Sequence, residues 1–116
     1  MKRSIKAYQR QPVLLGFRIE GSTGTPSLEG PDDLKFSVAD TAVGTYTITI
    51  GSDIAFPDAD SYIVLATVEG ADKVATVTKT SASVFVVKVN DVDETAALSD
   101  DDVHVLVFGT LVNERR

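Results

Sequence analysis

The chain has 116 residues, 43% of them hydrophobic, and a formal net charge of −6 at pH 7. This length suits one domain with a single modest core, since domains most often span roughly 100–150 residues. Because the sequence contains no cysteine, it excludes a disulfide framework, a thiolate nucleophile and a cysteine-based zinc or iron–sulfur site.

The charge is divided unevenly along the chain. Residues 1–10 carry four basic side chains and no acid, whereas residues 11–112 carry five basic and 16 acidic side chains, a net charge of −11. An acidic body repels nucleic acid, so no nucleic-acid partner is expected. The alternative is that Tyr8 stacks on the bases of a nucleic-acid strand while its basic neighbours pair with the phosphates. A basic tail on an acidic body indicates a separate protein partner for the tail.

Residues 1–12 are therefore predicted to form an extended basic N-terminal arm, and residues 113–116 a basic C-terminal tail. The alternative for the arm is a frayed terminus, which is the commoner fate of first residues. The candidate partner-binding residues of the arm are Lys2, Arg3, Ile5, Lys6, Tyr8 and Arg10.

The basic start of the chain does not look like a targeting segment. The apolar run at residues 13–17 is five residues long and contains Gly16. A secretory signal needs roughly 7–15 apolar residues and a membrane helix about 20. We therefore expect no membrane partner and a chain that is used as it is made.

Strand-like alternation begins after the arm. Residues 13–20 and 34–38 each place apolar side chains on one face, and residues 21–33 between them are rich in Gly, Pro, Ser and Asp and predict a long loop. Residues 44–50 give the clearest signal, because Tyr46, Ile48 and Ile50 alternate with three threonines. Such a strand has one apolar face and one hydroxyl-lined face.

The second half of the chain continues the pattern. Ile54 and Phe56, in the loop after residue 50, are expected to point into the core. Residues 62–68 are apolar on both faces, which favours a central position in a sheet, and residues 73–79 and 83–89 predict a hairpin.

Residues 103–112 form the predicted last strand, again apolar on both faces apart from His104 and Thr110. No stretch has the apolar spacing of an ordinary helix. The chain is therefore predicted to be an all-β protein, an antiparallel β-sandwich of seven or eight short strands over residues 13–112.

Two acidic or titratable features could carry chemistry. The acidic stretch between residues 90 and 102 offers oxygen ligands for calcium, but it lacks the EF-hand spacing, so a solvated loop is the better interpretation and no metal is predicted, with a weak calcium site shared between subunits as the alternative. His104 is the single histidine and no Gly-x-Ser-x-Gly elbow marks a nucleophile, so a histidine at the sheet rim is favoured over catalysis. We expect no enzyme activity, and with no phosphate-binding motif no cofactor is predicted.

Threonines are the last candidate. Thr45, Thr47 and Thr49, with Thr76 and Thr78, could line a carbohydrate-binding face, although such a row is more often the solvent face of a sheet.

Several short motifs follow one another between residues 44 and 109. They are Gly44-x-Tyr46-x-Ile48-x-Ile50, then Phe56, then Val64-Leu65-Ala66-Thr67, then Ser83-x-Phe85-x-Val87, and finally Asp101-Asp102-Val103-His104-Val105-Leu106-Val107-Phe108-Gly109. In these motifs the chain resembles a β-sandwich module of tailed-bacteriophage virion proteins, especially small decoration proteins and the distal knobs of tail fibres. The resemblance covers a little over half of the chain.

The resemblance implies a structural protein of the virion, assembled in the host cytoplasm. The first hypothesis is a capsid decoration (cement) protein whose arm binds the major capsid protein or other virion subunits. Such subunits commonly form rings or trimers, so a homo-oligomer is expected, with a trimer favoured. The alternative is a receptor- or glycan-binding module of a tail fibre or tail tip, and an enzyme that uses His104 is the weakest hypothesis.

Overall fold

The computed structural model describes residues 8–21, 25–70, 72–92 and 101–114. Within these residues the strands are β1 (Tyr8–Glu20), β2 (Ser27–Glu29), β3 (Phe36–Ala42), β4 (Thr45–Ile50), β5 (Tyr62–Val68), β6 (Lys73–Lys79), β7 (Val84–Asp91) and β8 (Val103–Glu114). They form two four-stranded antiparallel sheets, a first sheet in the order β2-β1-β8-β5 and a second in the order β3-β4-β7-β6. The predicted all-β antiparallel sandwich is confirmed.

The core lies between the two sheets and follows the alternation of the sequence. Tyr46, Ile48 and Ile50 of β4 are buried as predicted, and so are Ile54 and Phe56 in the following loop. Every second side chain of a strand points to the same face. Strands of both sheets therefore each supply an apolar row to one shared core.

Aromatic rings join the two sheets through Tyr62, the first residue of β5. Its ring stacks on Phe56 with centroids 4.9 Å apart and lies 6.2 Å from the ring of Phe85 on β7. Its hydroxyl donates a hydrogen bond of 2.9 Å to the carbonyl oxygen of Ser81. Gly109 of β8 pairs with Tyr62, and a side chain at position 109 would collide with the carbonyl oxygen of Ser61 and lie 2.7 Å from the Cα of Tyr62.

The first strand begins five residues before the apolar alternation does. Tyr8 pairs with Glu114 and Pro12 with Thr110, so the ends of β1 and β8 form a two-stranded ribbon that extends beyond β2 and β5. Proline fits here because β1 has a partner on one side only in this part of the strand. The start of β1 is determined by main-chain pairing with β8, which the side-chain pattern does not reveal.

The region of residues 21–38 differs from the prediction. It contains β2, a three-residue strand paired with the end of β1, and β3 begins at Phe36 rather than at residue 34. Leu34 lies in a single 3₁₀ turn (Asp33–Lys35) with 95% of its surface exposed. The alternation of Leu34 with Phe36 is therefore accidental, because the turn rotates Leu34 away from the core.

The predicted central position of β5 is wrong. This strand lies at the edge of the first sheet, with β8 as its partner, and Ile63 and Leu65 point outward and are exposed. The outward row of β5 is therefore apolar although the described part of this chain does not bury it. It leaves an apolar surface on the outside of the sandwich.

A candidate docking face on the first sheet

Large apolar side chains lie exposed on the outer surface of the first sheet. Their exposed fractions range from 38% at Phe108 to 68% at Leu14. We call this surface the apolar face. It consists of Gly16 on β1 and five large side chains: Leu14 on β1, Ile63 and Leu65 on β5, and Leu106 and Phe108 on β8.

Strand register places the apolar face in two adjacent rows. One row runs Leu14–Phe108–Ile63 and the next runs Gly16–Leu106–Leu65. Side chains directly opposite each other on neighbouring strands have Cβ atoms about 5 Å apart, and the rows lie about 7 Å apart along the strands. The patch is therefore continuous across three strands.

An open groove of about 540 Å³ adjoins the first row. Pro12 and Thr110 of the ribbon line it, together with Asp60 and Ser61 from the turn that precedes β5. Leu14, Ile63 and Phe108 of the apolar face complete its lining. The groove thus extends the apolar face toward the base of the ribbon.

The row on the other side of the apolar face is charged, and Arg18 lies at its centre. The guanidinium contacts Asp102 at 2.6 Å, Glu69 and Glu29 at 2.8 Å each, and Glu20 at 3.8 Å. The hydrogen bond to Glu69 is the largest cause that raises the pKa of Arg18 above its ordinary value, and the charges of Glu69, Asp102 and Glu29 add to it. Arg18 therefore stays charged and ties together β1, β2, the turn after β5 and the start of β8.

Asp102 and Glu69 hold this cluster to the backbone. Asp102 Oδ1 accepts a hydrogen bond of 3.0 Å from the amide of Gly21, and its carbonyl oxygen accepts one of 2.8 Å from the amide of Glu69. His104, which pairs with Arg18 across the strands, places Nε2 2.6 Å from Glu69 Oε2. The histidine is exposed on the outer face of β8 and adds this contact to the edge of the cluster.

Most of the predicted arm lies outside the described residues, including Lys2, Arg3, Ile5 and Lys6. Tyr8 and Arg10 belong to β1, where their backbones pair with Glu114 and residue 112 of β8. The side chains of residues 8–11 are not among those described. The structure thus locates the base of the arm at the free end of the ribbon.

The acidic stretch that raised the question of calcium is described only at its ends. Residues 93–100 lie outside the described part. Asp102 belongs to the Arg18 cluster, and the carbonyl oxygen of Asp101 is 3.4 Å from the hydroxyl of Tyr46. Among the described residues, no group of three or more His, Cys, Asp or Glu side chains could hold a metal ion.

The threonines lie on the outer surface of the second sheet. Thr45 and Thr76 both pair with Lys88 of β7, and Thr47 and Thr78 both pair with Val86. The hydroxyl rows of β4 and β6 therefore flank one strand, as the alternation of the sequence predicts.

Sequence reasoning missed the apolar face, although a signal for it was present. Tyr62–Val68 and residues 103–112 both carry apolar side chains on both faces of the strand. Only one of these faces can point into the core. In a two-layer sandwich each strand has one inner face, so a strand that is apolar on both faces needs a third layer or exposes one row. That choice depends on sheet order, which no local pattern states.

In the described parts of the chain, no helix is long and apolar enough to span a membrane. Comparison with protein-family models, with characterised proteins and with solved structures finds no match to this chain.

Proposed function

We propose that this protein is a structural subunit that binds other protein subunits through the apolar face. The observation that carries the proposal is the continuous exposure of five large apolar side chains on β1, β8 and β5. Large exposed apolar patches with a charged border are typical of protein–protein interaction sites. The Arg18 cluster supplies such a border at one end of the face.

The size of the face fits this function. Its five side chains expose roughly 500 Å² of apolar surface, if a large side chain exposes about 200 Å² when uncovered. Burial of that area is worth roughly 12 kcal/mol at about 25 cal/mol per Å². Association costs about 4–15 kcal/mol, and the ordering of side chains and the desolvation of polar groups cost more, so this burial drives the contact without measuring its affinity.

The second sheet is a useful comparison, because its outer surface is built differently. There Thr45 and Thr47 alternate with buried core residues, and the exposed Lys88 and the half-buried Val86 lie between the two threonine rows. Hydroxyl and ammonium groups are satisfied in water, so this surface needs less cover than the apolar face. The outer surface of the first sheet is therefore the more apolar of the two, and it is the one that gains more from being covered by a partner.

Within this function we propose a capsid decoration protein of a tailed bacteriophage. The support is the resemblance of the motifs between Gly44 and Gly109, in which Tyr46, Phe56 and Phe85 are core residues of the sandwich. The partners would be the major capsid protein or other virion subunits. The basic arm, which carries Lys2, Arg3, Ile5, Lys6, Tyr8 and Arg10, would extend from the free end of the ribbon toward the shell.

A second candidate function follows from the threonine rows. A receptor- or glycan-binding module of a tail fibre would use the hydroxyls of Thr45, Thr47, Thr76 and Thr78 as hydrogen-bond partners for a sugar. Binding of the isolated protein to a glycan array, lost on replacement of Thr47 and Thr78 by valine, would favour this candidate over a decoration protein.

Reconstitution on virions tests the first proposal. Particles of the phage that encodes the chain, prepared without it, are mixed with purified protein and sedimented. We expect wild type and Val74→Lys to sediment with particles, because Val74 is an exposed aliphatic residue of β6 in the second sheet. Leu65→Lys should stay in the supernatant, because it places a charge in the apolar face.

A deletion of residues 2–7 tests the arm without touching β1, which begins at Tyr8. We expect this variant to fold normally and to lose particle binding. The decoration proposal is overturned if virions purified from the natural host lack the protein, or if Leu65→Lys binds as well as Val74→Lys does.

A further inference from the structure

We propose that the apolar face is covered by the same face of a second copy of this chain, in a two-fold, face-to-face pair. This inference rests on the proposed function only in taking the apolar face as a binding surface. It adds the occupant, the symmetry and the residue contacts. The result is a four-layer stack in which the two first sheets form the inner layers.

The area favours a second copy as the occupant. The apolar face contributes roughly 500 Å² of large apolar side chains, and the groove and the charged row extend the contact on either side. Specific interfaces bury about 800 Å² on each partner, with an apolar core and a polar rim. The apolar face supplies the apolar core of such an interface, and the groove and the charged row supply its rim.

The shape of the face is complementary to itself. Leu14 is its most exposed side chain, and Gly16, two residues further on the same strand, has no side chain. A Cβ at Gly16 would lie 3.3 Å from Leu106 Cδ2, so the depression left by the missing side chain is shallow and partly filled by Leu106. The face thus carries a projection and a depression about 7 Å apart along β1.

A single two-fold axis brings each projection over a depression. The axis lies in the interface, perpendicular to the strands, and passes between the two rows of the apolar face. It places Leu14 of one copy over Gly16 of the other, Phe108 over Leu106, and Ile63 over Leu65. Each contact then occurs twice, as an isologous interface requires.

This axis also determines where the charges lie. The row of Arg18, His104 and Thr67 in one copy falls over the row of Pro12 and Thr110 in the other. The Arg18 cluster therefore lies at the rim of the pair, where its carboxylates keep access to water. In the described part of the chain, the charged side chain next to the two central rows is Asp32 at their β1 edge, where Oδ2 accepts a 2.8 Å hydrogen bond from the amide of Gly16.

Two other arrangements fit less well. A three-fold ring needs two different complementary patches on each copy, whereas here both shapes lie on one face. Edge-to-edge pairing through β5 would compete with Lys79, whose Nζ donates 2.7 Å hydrogen bonds to the carbonyl oxygens of Tyr62 and Ala59 at the start of that strand. Lysine at a strand edge commonly prevents such pairing.

Analytical ultracentrifugation of the full chain tests the pair. We expect wild type and the control Val74→Lys to sediment as dimers. Leu14→Lys and Gly16→Glu should each weaken dimerisation by at least about tenfold, because each buries an unpaired charge at the centre of the interface. Circular dichroism spectra and thermal melts of all four proteins check that the sandwich is folded, and the outward position of both changes predicts that it is.

The decisive measurement mixes the two weakened variants. In a mixed pair, lysine at position 14 of one copy faces glutamate at position 16 of the other, while the second Leu14–Gly16 contact stays native. We therefore expect Leu14→Lys and Gly16→Glu together to form a heterodimer more tightly than either forms a homodimer. A pair whose axis runs along β8 would place position 14 of one copy over position 63 of the other and show no such rescue.

Several results would overturn the inference: a monomeric or trimeric wild type, unchanged dimerisation of Leu14→Lys, or no rescue in the mixture. Its failure can be told apart from failure of the proposed function. If wild type is a monomer but Leu65→Lys still loses particle binding, the apolar face binds a different subunit and only the pair is wrong.

Discussion

Replacement of Tyr62 by phenylalanine tests how the two sheets are held together. The ring would keep its stacking on Phe56 and its tilted contact with Phe85, so only the hydroxyl is lost, with the hydrogen bond that it shares between the carbonyl oxygens of Ser81 at 2.9 Å and Val84 at 3.3 Å. Such a bond contributes about 1 kcal/mol to the free energy of unfolding. Truncation of the whole ring, Tyr62→Ala, should cost about 3–5 kcal/mol, because it also opens a cavity.

The same hydroxyl predicts a difference at alkaline pH. Burial raises the pKa of Tyr62 above its ordinary value of 10.0, because the charged phenolate would lose solvent. The unfolded chain then releases this proton at a lower pH than the folded protein does. Stability from this group is fully present below pH 10 and is lost as the pH rises toward the folded pKa, with a slope of up to about 1.4 kcal/mol per pH unit.

Urea denaturation of wild type and Tyr62→Phe between pH 7 and pH 11 measures both effects. We expect wild type to be more stable by about 1 kcal/mol at pH 7, and this advantage to narrow above pH 10. Other groups titrate equally in the two proteins, so the difference between them isolates Tyr62. Equal stability at pH 7, or a constant difference up to pH 11, would refute the reasoning.

Substitutions at two glycines and at Asp32 test close packing and hydrogen bonding of the backbone. Gly109→Ala should cost about 1–3 kcal/mol or more in urea denaturation, because its Cβ would collide with the backbone of Ser61 and Tyr62, whereas Gly16→Ala should cost under about 1 kcal/mol; equal costs would contradict the predicted clash. Asp32→Ala should cost about 1–3 kcal/mol, because the amide of Gly16 then loses its 2.8 Å hydrogen bond to Asp32 Oδ2. Asp32→Asn retains an acceptor and should cost less, and an Asn variant as unstable as the Ala variant would show that this hydrogen bond is not the cause.

The Arg18 cluster illustrates why the candidate site could be predicted only in part. Arg18, Glu69 and Asp102 are separated by 51 and 33 residues along the chain, and nothing in their local sequence links them. They meet because β1 and β5 both pair with β8, which brings the end of β1, the turn after β5 and the start of β8 to one corner. His104 joins the cluster for the same reason.

The sequence by itself determined the fold class, most of the strands and the inner face of strands with a single apolar row, such as β4. Alternation with a period of two is a local property, since neighbouring side chains of a strand point to opposite faces whatever the strand pairs with. It therefore identified Tyr46, Ile48 and Ile50 as core residues and the threonines beside them as an outer surface.

Only the tertiary structure decided which apolar rows are left uncovered. Tyr62–Val68 reads as a central strand, because its side chains are apolar on both faces, yet sheet order places it at an edge. Sheet order depends on pairings between residues far apart in sequence, such as β1 with β8, and these pairings are not encoded in any single segment. The apolar face exists because the second apolar rows of β5 and β8 come together with Leu14 of β1 on the same side of the sheet.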